Sequence, residues 1–488
     1  MAHSSRRTPV LIGALVGACL MLVSACATRD ERQVVSGEAV SAYSDPFTVA
    51  GLPVSDGPNG LRDDAADTAD TALDIRGGDD GEIDDLMGAA LADLETYWKQ
   101  AFEPAFKTSF KTGLSFVSWD AESPQSRSVL FCNEPTFGQV NAAFCPTRDE
   151  IGWDRGVLMP ALADAFGPMA PVTVIAHEYG HYIQMIGGFD KDTSPIVSEQ
   201  QADCLSGNFI RWIAEGNGEF LQINTGDGLN TAVAALISAR DSRRGRSDHG
   251  TAFERALAFE KGFRSGPATC AAITELTIDD LRDQMPPRFD NAGAIDTSPF
   301  TEAGLESVVQ SVEAFFDLPD TARPSVLTDR IEQPCSGASD QQAALPVAFC
   351  PDTNTVSMDP DELALIATNG TSGPSGLPSF IGGDFSAYSL VASRYSLATQ
   401  RARGQVLDQP VTAARAACFT GRWARSTADS GTFTLRGGDL DELVSGLLVS
   451  GAVASDVAGR SLPSGFSRIA AFSAGYFGDE KGCARYDP

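Results

Sequence analysis

"VIAHEYGHYIQMIGG", Val174 to Gly188, decides how this chain is read. The chain has four histidines in 488 residues, and two of them, His177 and His181, stand four positions apart around Glu178. On an α-helix, residues four apart are offset by about 40° around the axis and about 6 Å along it. Both imidazoles therefore leave one face and can reach one tetrahedral zinc ion, while Glu178 sits where its carboxylate can take a proton from water on that metal. The flanking text predicts the helix, which opens after Pro171 and stops at Gly187 and Gly188.

A catalytic zinc takes three protein ligands and keeps one position for water. Beyond the motif and the first few residues, His249 is the remaining histidine, so the third ligand is either His249 or a carboxylate. "EQQAD", Glu199 to Asp203, offers a carboxylate, inside a second helical pattern that begins at Ser194-Pro195 and ends at Gly216. Its two acidic residues stand four apart. Glu199 can bind the metal while Asp203 accepts a hydrogen bond from the far nitrogen of a zinc-bound imidazole, which fixes ring orientation and tautomer.

Composition bounds the rest. The length allows two domains, each with its own core. A formal net charge of -29 and a pI near 4.4 argue against a nucleic-acid partner, which needs clustered Lys and Arg, and against docking on anionic lipid. Residues 1–26 read as an export signal: Arg6 and Arg7, an apolar run from Val10 to Val23, then "VSAC" ending at Cys26. That ending resembles the lipobox of bacterial lipoproteins, which implies a lipid on Cys26, with Cys19 the weaker alternative, and an extracytoplasmic, membrane-anchored location. Residues 27–92, Asp-rich from Arg62 to Asp85, read as an acidic flexible tether.

Without Cys19 and Cys26, eight cysteines remain, and an exported chain sits where disulfides persist. "AAFCPTRDEIGWD" parallels "VAFCPDTNTVSMD", "ADCLSG" parallels "AACFTG", and "FERALAFEKGF" parallels "FSRIAAFSAGYF". Four cysteines thus recur in the same order, the signature of a tandem duplication. Cys132 and Cys145 bracket a short loop and are expected to pair, which leaves Cys204 with Cys270. By symmetry Cys335 pairs with Cys350 and Cys418 with Cys483. The expected division is a first repeat over 93–285 and a second over 286–488, with the boundary in the Pro-rich text from Asp283 to Phe300. The expected class is α+β, mostly helical, with "EIGWD" and "TVSMD" as short strands, the former either an edge for an extended substrate or buried.

"HEYGHYIQ", then "EQQADCLSGNFIRW", with "FCNEPTFGQVNAAFCPTRDEIGWD" before and "DHGTAFERALAFEKGFRSGPATC" after, resembles the bacterial neutral zinc metallopeptidase family over about Trp98 to Cys270. The resemblance implies a zincin-like fold, zinc ligands His177, His181 and Glu199, Glu178 as general base, and Asp203 as the supporting carboxylate. Peptide-bond hydrolysis further needs a donor for the oxyanion, for which His249 is the candidate and Tyr182 the weaker one. In the second repeat the motif aligns with "LVASRYSLATQRARG": Ser393, Arg394 and Leu397 replace His177, Glu178 and His181, Ala413 and Ala417 replace Glu199 and Asp203, and Leu462 falls near His249. That half is expected either to bind substrate, a protein partner or the first repeat, or to serve as a structural cap. The competing functions are a zinc amidase acting on cell-wall peptides and a non-catalytic envelope scaffold lipoprotein.

Overall fold

A computed structural model describes residues 45–63, 73–241, 249–287, 298–328, 335, 339–368, 381–428, 432–478 and 482–486. The signal segment with Cys19 and Cys26 lies outside the described residues. The flexible tether expected over 27–92 does not hold for its described part. Val49 is buried, Ser55 N–H donates to Thr225 Oγ1 at 2.8 Å, and Asn224 N–H donates to the Asn59 side chain at 2.8 Å. Glu82–Phe106 forms a helix, α1. Its acidic residues serve as acceptors: Asp84 takes Ser118 Oγ–H at 2.6 Å and Trp153 Nε1–H at 3.0 Å, and Asp93 takes the backbone N–H groups of Glu219, Phe220 and Leu221.

Ile75–Arg76 (β1), Ser115–Trp119 (β2), Ala142–Cys145 (β3) and Glu150–Asp154 (β4) form one sheet in the order β1-β2-β4-β3. The first three of that order run parallel, and β3 pairs antiparallel with β4 at the edge. "EIGWD" is therefore an interior strand, buried along its whole length, and the free edge belongs to β3. Among the helices that follow, four frame the site: Met169–Gly187 (α2), Pro195–Ala214 (α3), Asp227–Ser238 (α4) and Ala252–Arg264 (α5). α2 starts three residues earlier than expected because Pro171 sits in its first turn, where a missing N–H leaves no bond unmade. It ends at Gly188, whose φ of 74° lets its N–H turn back to the Gln184 carbonyl.

The second half has the same order. Ser325–Leu327 (β5), Val347–Cys350 (β6) and Thr355–Met358 (β7) pair as β5-β7-β6, followed by Asp384–Ala402 (α6), Pro410–Thr427 (α7), Asp439–Val449 (α8) and Gly465–Tyr476 (α9). All four expected disulfides are formed, Cys132–Cys145, Cys204–Cys270, Cys335–Cys350 and Cys418–Cys483. A Cβ on Gly207 or Gly262 would strike the backbone of the facing helix, and so would one on Gly421 or Gly475. α3 against α5 and α7 against α9 are thus the same glycine-mediated close crossing. The class is α+β and mostly helical.

The expected division into two separate domains at 285–286 is not how the halves are built. Residues from Val40 to Pro488 cluster as one unit around one continuous core. α5 and α9 lie together: Phe253 meets Phe472, Tyr476 and Phe477, and Phe263 meets Phe466 with ring centres 5.0 Å apart. Each half also bonds the first turn of a helix of the other. Gly465 N–H donates to Asn230 Oδ1 at 2.8 Å, and Phe253 N–H donates to Asp441 Oδ1 at 3.2 Å. Among the described residues no helix is long and apolar enough to cross a membrane.

Asp384, Asp439 and Glu442 meet, buried, at the first turns of α6 and α8, with Arg436 acting on both aspartates. Burial pushes Glu442 up to about 8, against the Phe385 N–H that it accepts. A carboxyl raised in the folded state favours folding below the ordinary carboxylate range, and that contribution is lost as pH rises through about 8. Glu442→Gln keeps the acceptor and removes the charge. It is expected to raise the melting temperature at pH 9 by about 2 °C and leave it unchanged at pH 4, as read by calorimetry.

Candidate metal centre

α2 and α3 cross at Gly180, where a Cβ would stand 3.1 Å from the Ala202 backbone. That close approach brings Glu199 of α3 to the face of α2 that carries the two histidines. Ligand atoms of His177, His181 and Glu199 all lie within 4.8 Å of one another. Glu199 Oε2 is 3.1 Å from His177 Nε2, and Oε1 is 3.6 Å from His181 Nε2. The rings stand edge to face, with an interplanar angle of 87°.

The opposite ring nitrogens are already occupied. His177 Nδ1 lies 2.7 Å from Asp203 Oδ1, and His181 Nδ1 lies 2.9 Å from Gln184 Oε1. Gln184 is oriented by its own amide, which donates to the Ser198 carbonyl at 2.7 Å. Both acceptors call for hydrogen on Nδ1, so each Nε2 turns its lone pair toward Glu199. Glu199 Oε2 is buried, with His177 Nε2 3.1 Å away. Three electron-rich atoms facing one another call for a cation between them.

Asp203 is held on its far side by Arg255 of α5, through Nε at 2.9 Å and Nη2 at 2.8 Å, all of it buried. Burial alone would raise Asp203, but Arg255 and His177 outweigh it and hold the carboxyl below its usual range. Burial alone would lower His177, but Asp203 and Glu199 outweigh it and hold the imidazole up to about 10. Glu199 is likewise kept well below the usual carboxylate range, His177 and His181 overcoming its burial. Without a metal, a proton on His177 takes the cation's place.

Glu178 is half-buried beside the ligands, and its Oε2 accepts Phe144 N–H at 2.9 Å from the edge strand β3. Burial raises its pKa, with the two histidines pulling the other way. Of the two options for the third ligand, the geometry brings Glu199 into the cluster and leaves His249 outside it. His249 is partly exposed and is held by Asp241, which accepts its N–H at 2.8 Å and faces Nδ1 at 2.9 Å. Gly250 beside it packs on Gln200 and Ile196 of α3. The hydroxyl of Tyr182, the weaker oxyanion candidate, donates to the Lys111 carbonyl at 2.7 Å and is thereby committed. Sequence reasoning missed Gln184, Arg255, Phe144 and Asp241; Gln184 alone had a local signal, three residues after His181.

In the second half, Arg394 fills the corresponding place. Buried beside Ser393, it donates to the carbonyls of Asp456 at 2.9 Å and Ser455 at 2.7 Å. Burial lowers it to about 10, so it stays charged at neutral pH. Leu397, Ala413, Ala417 and Leu462, the other replacements, are buried as well.

No family model matches this chain, and no solved structure matches it. Curated relatives are uncharacterized proteins of Mycobacterium tuberculosis and Mycobacterium bovis, each 27% identical over 164 residues, an alignment covering 28% of this chain and 56% of the relative. The chain spans about half the length of the curated relatives it matches.

Because His177 is protonated at pH 7 when no metal is present, zinc loading is expected to release about one proton per ion, measured by calorimetry in buffers of different ionisation enthalpy. Gln184→Ala removes the acceptor that orients His181. It is expected to weaken zinc binding by about 10- to 100-fold in a competition assay with a chelating dye.

Proposed function

We propose that this chain is an extracytoplasmic zinc metallopeptidase, anchored through a lipid on Cys26. On this reading the first half is a zincin-like catalytic unit of the neutral zinc metallopeptidase kind, and the second half is a tandem copy that has lost the metal ligands. The observation that carries the reading is the convergence of His177, His181 and a buried Glu199 oxygen, with the Glu178 carboxylate beside them. This donor set suits zinc, with two imidazoles and one carboxylate as ligands. Zinc held there supplies a Lewis acid and lowers the pKa of water toward about 7.

The chain's own residues do the rest. Glu178 takes the proton from the attacking water and returns it to the leaving amine. Phe144 N–H holds one Glu178 oxygen, which leaves the other for that transfer. The free edge of β3 offers backbone groups to an extended peptide. His249, oriented by Asp241, donates to the oxyanion that develops on the substrate carbonyl. Asp203 and Gln184 keep both imidazoles turned toward the metal position.

The test is metal analysis together with turnover of quenched-fluorescent peptides. The wild-type protein is expected to carry about one zinc per chain, lost in His181→Ala and Glu199→Ala. Glu178→Gln is expected to keep the metal and lower kcat by about 100- to 10,000-fold. A wild-type protein that binds no zinc, or full activity in Glu178→Gln, would overturn the reading.

A further inference from the structure

In the second half Ser393, Arg394 and Leu397 stand where the first half has His177, Glu178 and His181, yet one carboxylate of that half reaches into the first half. Asp441, in the first turn of α8, is buried. Its Oδ1 accepts Phe253 N–H at 3.2 Å, in the first turn of α5, where the helix dipole favours a negative charge. Its Oδ2 stands 3.6 Å from Arg240 Nε. Arg240 immediately precedes Asp241, the residue that holds His249 through two contacts. Thr251, two residues after His249, caps α5 reciprocally with Glu254. One carboxylate of the second half therefore touches both the residue before Asp241 and the helix start that follows His249.

The arrangement is not a copy of anything in the first half. With α4 and α8 aligned from Asp227 and Asp439, the counterpart of Asp441 is Leu229, an apolar core residue. The reverse contact, onto the start of α9, comes from Asn230 one position later.

We propose that Asp441 is a positioning residue, through which the second half sets the Asp241–His249 pair and so governs the rate of the first half. This rests on the peptidase reading above. It makes the second half part of the catalytic apparatus without giving it a site of its own.

The experiment uses the full chain in four forms: wild type, Asp441→Ala, His249→Phe and the double variant. With a quenched-fluorescent peptide, Asp441→Ala is expected to lower kcat by about 10-fold, with KM and zinc content unchanged. The double variant should be no slower than His249→Phe alone, because the first effect acts through the second residue. Multiplying losses, or a change confined to KM, would overturn the proposal. Amide hydrogen exchange supplies a readout without turnover: His249 and Phe253 should exchange faster in Asp441→Ala, and α2 amides should not. Unchanged exchange at His249 also overturns it. Should Asp441→Ala fail to fold, Asp441→Asn keeps the acceptor for Phe253 and removes the charge facing Arg240, with the same pattern expected at about 3-fold. A zinc-loaded wild type that cleaves no peptide would fail the peptidase reading, while the exchange experiment still decides whether Asp441 holds His249.

Discussion

The Asp203 carboxylate is the interaction on which the rest of the first half depends. Sitting on α3, it binds His177 of α2 through one oxygen and Arg255 of α5 through both. Three helices are therefore registered by one side chain, and the next residue, Cys204, anchors the disulfide to Cys270. A buried ion pair of this kind adds little stability when intact, yet losing one partner costs about 3–5 kcal/mol because the other is left charged and unpaired. The geometry that aims His177 at Glu199 is thus enforced by the penalty for breaking it.

The second half shows what happens when that carboxylate is absent. Ala417 stands in the place of Asp203, but Arg468, the counterpart of Arg255 in the parallel "FER" and "FSR" text, remains buried. It turns to backbone carbonyls instead, donating to Leu462 at 2.7 Å and Leu447 at 2.9 Å. Arg394 adopts the same solution with the carbonyls around Ser455. Two guanidiniums bonded chiefly to main-chain oxygens stand among the same helices without a carboxylate between them. Burial lowers both to about 10, so the solution retains its charge at neutral pH.

Much of this was legible in the sequence because it was local or repeated. The spacing of His177, Glu178 and His181 places them on one helical face, and the ordered cysteines of two similar stretches give all four disulfides. Local spacing left Glu199 and His249 both open and only the family resemblance pointed to Glu199, because the geometry depends on the crossing of α2 and α3 at Gly180. Arg255, Phe144 and Asp241 were missed for the same reason: each meets its partner through tertiary packing, with nothing in the local pattern to announce it. The tether failed for a related reason. Net charge along Arg62 to Asp85 says nothing about the Ser118 and Trp153 donors that turn Asp84 into a buried acceptor.

That the two halves form one body follows from where the aromatic rings lie. Phe253, Phe259 and Phe263 of α5 are covered by Phe466, Phe472 and Tyr476 of α9, so either half alone would leave a row of rings in water. Burying a phenylalanine side chain contributes about 1.5–3 kcal/mol, which makes separation of the halves costly before any polar contact is considered. The chain before α1 adds to this by touching both: Arg211 of α3 donates to the Ala50 carbonyl, and Ser467 of α9 donates to that of Thr48. The buried framework shared by α5 and α9 accounts for the cysteines, the crossing glycines and the apolar pattern of the second half, none of which needs zinc.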